Sequence, residues 1–152
     1  MNEKIQRKYE ELKKKQQEHM KNIKWQSNEL FMECIQKINK IDIIPETQCE
    51  RLLNRVEEII PMTLSGHVDW NKMKHGRETI SYGQIENYLE THTNYFVIWN
   101  NCDLPIIKCD LQSIIDYHVD FEAVDFGYLA ISEDLNVILE AVKFGCVNMG
   151  IL

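Results

Sequence analysis

The chain lacks the commonest frames of catalytic chemistry. It has no CxxC pair, no HExxH or HxH, and no GxSxG, so a zinc site or an activated serine has no recognisable starting point. Its six glycines (Gly66, Gly76, Gly83, Gly127, Gly145 and Gly150) stand singly, and no phosphate-cradling loop can be assembled from them. No apolar run approaches the roughly 20 residues of a membrane span. The opening MNEKIQRKYEELKKK carries charge with no apolar stretch behind it, so neither a secretory leader nor a membrane helix is expected, and the expected compartment is the cytoplasm. The five cysteines, Cys34, Cys49, Cys102, Cys109 and Cys146, are odd in number and scattered, which points to reduced thiols and to no metal cluster.

Positive charge is also scarce once the first forty residues are passed. Residues 1–40 hold ten Lys or Arg against six Glu, whereas the remainder holds seven bases against eighteen acids. From Glu78 onward only Lys108 and Lys143 oppose twelve carboxylates. Such a body attracts cationic partners and repels nucleic-acid phosphates.

What is present reads as an α+β chain of 152 residues, expected to form a single domain with a helical segment over 1–61 and a sheet-containing part over 62–152. Asn2 to Asn22 is rich in helix formers, with a thin apolar stripe of Ile5, Tyr9, Leu12 and Met20. Its Lys13, Lys14 and Lys15 form either a solvated face or a docking arm. A second helix, capped near Ser27, carries Leu30, Phe31, Cys34, Ile35 and Ile38 at three- and four-residue steps. Ile41 to Pro45 reads as a linker. A third helix is expected to open on a Thr47/Glu50 capping box and to close at Pro61.

Beyond Met62 the periodicity shortens. Residues 62–70 read as a strand interrupted at Gly66, 71–77 as a loop or short helix, and 81–90 as a short helix capped by Ser81. Tyr95–Trp99 and Leu104–Ile107, separated by Asn100 to Asp103, read as an antiparallel hairpin. Pro105 places its second strand toward an edge. A helix capped by Asp110, a strand within 121–132, a strand over 136–144 and a last strand over 146–151 complete a mostly antiparallel sheet of four to six strands.

His67 with Asp69, or His118 with Asp116 and Asp120, are the pairs from which a carboxylate-oriented base could be made, although structural roles are commoner for such residues. Trp70, Trp99, Tyr95 and Phe96 are expected to pack in the core, since base stacking is disfavoured among so many carboxylates. The sharper feature is the acidic cluster Asp116, Asp120, Glu122 and Asp125, followed by Glu133 and Asp134. Either these are solvated loop carboxylates or they face a basic partner, with Tyr117, Phe121 and Tyr128 as candidate aromatic anchors.

The run YFVIWNNCDLPIIKCDL, then a short helix, DFGYLAIS and a terminal GCVNMGI, resembles the immunity proteins of bacterial polymorphic toxin systems, those paired with LXG-type and contact-dependent inhibition toxins. The resemblance covers residues 62–152. It implies a cytoplasmic antitoxin that occludes one cognate toxin domain, with no catalytic residues and no cofactor. A cationic nuclease-type toxin would match the acidic body. A protein-binding scaffold of SUKH type and a small hydrolase using His118 or His67 remain the alternatives.

Overall fold

Two asparagines open the first two helices. The computed structural model describes residues 2–75 and 77–152, with the side chains of 18–24 outside the description. The Asn2 side chain accepts from the Lys4 N–H at 3.2 Å and starts α1 (Glu3–Gln26). Asn28 accepts from the Phe31 N–H at 3.0 Å and starts α2 (Glu29–Lys37). The cap is therefore Asn28, and Ser27 ends the preceding helix instead. On α1, Ile5, Tyr9 and Leu12 are half or more exposed, so the thin stripe finds little to pack on. Met20, expected on the same stripe, has a side chain outside the described set.

The third helix, α3 (Glu46–Ile59), begins two residues earlier than a Thr47 cap would allow. Pro45 takes the N-cap position with φ −57°, and its carbonyl accepts from the Gln48 and Cys49 N–H groups, both at 2.9 Å. The N-cap residue supplies no side-chain hydrogen bond here, so backbone bonds to Pro45 stand where a capping box was expected.

The strands are β1 (Asp42–Ile43), β2 (Glu78–Ser81), β3 (Asn94–Ile98), β4 (Ile107–Asp110), β5 (Leu129–Ser132), β6 (Val137–Lys143) and β7 (Cys146–Ile151). They form one seven-stranded sheet in the order β1-β4-β3-β5-β6-β7-β2, antiparallel throughout. The count exceeds four to six because two short edge strands, β1 and β2, lie in segments too polar or too brief to announce themselves. The expected strand over 62–70 is a turn, closed by a single bridge between Met62 and Val68. Gly66, at φ +85°, bends it, and the Thr63 N–H donates to the His67 carbonyl at 2.7 Å. A 3₁₀ turn, Trp70–Lys72, follows it. Gly76 lies outside the described residues.

Alternation along the strands builds two apolar layers. Tyr95, Val97, Ala130, Leu139 and Val147 face Phe31, Cys34, Leu111, Ile114 and Phe121, which come from α2, α4 (Leu111–Asp116) and α5 (His118–Val124). Leu129, Ile131 and Ile138 face Val56 and Ile60 of α3 and its exit. Asp110 caps α4 by accepting from the Ser113 N–H at 2.8 Å. Residues 121–124, read with the strand within 121–132, are helical instead, and Phe121 points into the core beside Trp99. Tyr82–Asn87 is a 3₁₀ segment, opened by a hydrogen bond from the Ser81 N–H to Gln84 Oε1 at 3.1 Å.

The central hairpin is longer at its tip than its turn residues indicate. Its second strand starts at Ile107, leaving residues 99–106 as a connection folded over the sheet end. The indole of Trp99 donates to the Pro105 carbonyl at 3.1 Å, and the Ile44 N–H donates to the Ile106 carbonyl at 2.9 Å. β4 has only the two-residue β1 on its outer side. Among the described residues no helix is long and apolar enough to cross a membrane.

Candidate partner-binding surface

The acidic cluster divides once folded. Phe121 and Tyr128 are fully buried, their rings 5.7 and 5.9 Å from that of Trp99. The Tyr128 hydroxyl lies 2.6 Å from that of Tyr82, and burial pushes both phenols well above their ordinary value, so the pair stays uncharged. Glu122 is buried too, its carboxylate accepting the Gly145 N–H at 3.0 Å and fastening the β6–β7 turn to α5. These three side chains belong to the interior.

The remaining carboxylates sit in two places. Asp116 is exposed and accepts from Gln112 Nε2 at 2.9 Å. Asp120 pairs with Lys37 at 2.6 Å, tying α5 to α2. Tyr117, half-buried, packs against the core at the junction of α4 and α5. Asp125 accepts the Asn101 N–H at 2.7 Å, and Asn100 Nδ2 donates to the Phe126 carbonyl at 2.9 Å, so the end of α5 holds the 99–106 connection. Glu133 and Asp134 lie past the opposite end of β5. Glu133 is 3.5 Å from Lys108, and Asp134 accepts from the Ser132 hydroxyl at 2.6 Å and the Asn136 N–H at 3.1 Å. The Ser132 hydroxyl, then the Asn136 N–H, hold the Asp134 carboxyl below its ordinary range.

Three apolar side chains on the outer side of α5 and beside it were not legible as surface groups. Val119 is 67 % exposed, Phe126 42 % and Phe144 80 %, and the two phenyl rings stand 4.8 Å apart. The sequence places Phe126 in the strand expected within 121–132 and Phe144 at the end of the one expected over 136–144. Gly127, at φ +92°, turns the chain straight after Phe126, and Gly145, at φ +79°, does the same after Phe144. Each glycine leaves its aromatic neighbour at a corner instead of in a ladder. An exposed aromatic pair, with Asp125 beside Phe126 in the chain, has the composition of a partner-binding patch.

The histidines considered for catalysis have other partners. His118 Nδ1 lies 2.8 Å from the Ile115 carbonyl, and its ring stacks on Tyr82 at 4.3 Å. Asp116 and Asp120, which would have oriented it, bond elsewhere. His67 is exposed and 4.0 Å from Glu140, while Asp69 is 3.8 Å from Lys72. Among the described residues no group of His, Cys, Asp and Glu could hold a metal ion.

A comparison with protein-family models matches residues 28–150 to the family described as CdiI immunity protein EcoliA0-like. The chain belongs to this family. It is a family of contact-dependent inhibition immunity proteins, and membership implies that the chain neutralises a cognate toxin protein by binding it. A comparison with curated proteins returned no match. The matched span opens at the cap of α2 and takes in the sheet up to Gly150, one residue short of the end of β7, so the basic α1 of this immunity protein falls outside it.

Proposed function

We propose that this immunity protein works by occlusion alone, in the cytoplasm, and that its toxin is a cationic, nuclease-type domain. The supporting observation is the excess of acid in the part of the chain that the family covers. After residue 40 the acids outnumber the bases eighteen to seven. A nuclease needs positive charge to hold nucleic acid, and an acidic inhibitor gains association rate and selectivity against it. We place one contact surface on the outer side of α5, where Asp116, Val119, Asp125, Phe126 and Phe144 combine carboxylates with exposed apolar groups.

The test mixes the purified chain with its cognate toxin domain and follows nucleic-acid cleavage. Cleavage should stop at equimolar inhibitor, and association should slow steeply between low and physiological salt. Turnover of a substrate by the chain alone, or a complex indifferent to salt, would refute the reading.

A further inference from the structure

A second concave surface lies away from the outer side of α5. Beside α3 runs an apolar trough of about 700 Å³, within the size range of ligand pockets. Its floor and walls come from Ile44, Leu53, Trp99, Leu104, Pro105 and Ile106. A second hollow of about 830 Å³ adjoins it, sharing Leu53, Glu57, Ile98 and Trp99, and the fully exposed Leu64 is among its lining residues.

Among the described residues that line the 700 Å³ part, the charge has one sign. Glu46, Glu50 and Glu57 stand on one face of α3, at steps of four and seven residues, and Asp103 lines the trough from the opposite connection. Among the described residues lining the 700 Å³ part there is no Lys, Arg or His. The bases of α3 lie off this face, and Arg55 pairs with Glu58 at 3.2 Å. From Glu46 to Glu57 the helix advances about 16 Å at 1.5 Å per residue, the length of about five extended residues.

We propose that this trough receives a segment of the cognate toxin in which an apolar side chain is flanked by Lys or Arg. The apolar group fills the hollow over Leu53 and Trp99, and the bases meet Glu50 and Glu57 at its rim. Solvated carboxylates need no apolar floor, and an apolar ligand alone would gain nothing from a one-signed rim. The two features together fit a basic, apolar-tipped chain segment. The 99–106 connection links this trough to the outer side of α5, because Asn100 and Asn101 bond to Phe126 and Asp125. The proposal rests on the reading of the chain as the binder of a cationic toxin.

The test uses the full chain and its cognate toxin domain. Glu50→Lys with Glu57→Lys is compared with Glu78→Lys with Glu86→Lys, an equal charge change at exposed positions on β2, the opposite sheet edge, and on the 3₁₀ segment that follows it. The trough pair should slow association at least about tenfold at low salt and leave the melting temperature nearly unchanged, while the remote pair has a much smaller effect. Leu53→Asp should weaken binding at all salt concentrations. Hydrogen exchange on the wild-type complex should protect the amides of α3 and of residues 99–106. Equal effects of the two pairs, or no protection of these segments in a complex that does form, overturn the trough and leave the occlusion reading standing. If wild type and toxin form no complex, both fall.

Discussion

Replacing Glu140 with alanine should unfasten the 62–70 turn from the sheet, and the size of the effect follows from what the carboxylate holds. Glu140 is 3 % exposed on β6, and its two oxygens accept the Val68 N–H and the Trp70 indole N–H, each at 2.9 Å. Alanine leaves both donors without an acceptor. Val68 is itself buried, and each stranded donor costs about 1–3 kcal/mol. Removing the carboxylate also removes its own desolvation penalty, which offsets part of that loss. The net expectation is about 2–4 kcal/mol, or a melting temperature lower by roughly 5–15 °C for a chain of this size. Glu140→Gln keeps one carbonyl acceptor and should lose about half as much. Urea unfolding monitored by tryptophan fluorescence gives the midpoint, and an unchanged slope attributes the shift to stability. A Glu140→Ala protein within about 0.5 kcal/mol of wild type would refute the reasoning, because surface substitutions behave that way and buried anchors do not.

Gly150→Ala attacks the same attachment from the other side: its Cβ would sit 2.7 Å from the Trp70 ring, and the expected loss is about 1–3 kcal/mol by thermal melting. Cys102 is exposed and should react with a thiol reagent in the native state, whereas Cys34 and Cys109, pushed by burial to about 12, should react only on unfolding. For both thiols the folded value exceeds the ordinary 9.0, so the unfolded chain sheds these protons first, and denaturation midpoints should fall as pH rises above 9.0 toward 12. Phe144→Ser should leave stability within about 0.5 kcal/mol, since the ring is 80 % exposed, yet weaken toxin binding measured by titration calorimetry.

Helices with a strong apolar face were the most legible part of the fold. Phe31, Cys34 and Ile38 at three- and four-residue steps announce α2, and Val56 with Ile60 announces the buried side of α3. The terminal hairpin was legible because Gly145 separates two runs of β-forming residues. Local composition does not report partners distant in the chain, and the misread segments depend on those. The 62–70 turn takes its bonds from Glu140, some seventy residues away, and β2 exists because β7 offers it an edge. The candidate surface divided for the same reason. Glu122 reads like its acidic neighbours until the Gly145 N–H claims it, and Phe126 looks like a core residue until Gly127 turns the chain. Charge balance needs no partner information, and so the acidic character of the body was plain from the start.

Residues 99–106 contribute to no strand ladder, yet they wall the trough and lean on the end of α5. Substitutions at exposed Asn101, Cys102 or Asp103 therefore alter what an incoming molecule meets without shifting the register of any strand. On the reading proposed for the trough, the surface that meets the toxin can therefore change in composition while the frame that carries it stays put.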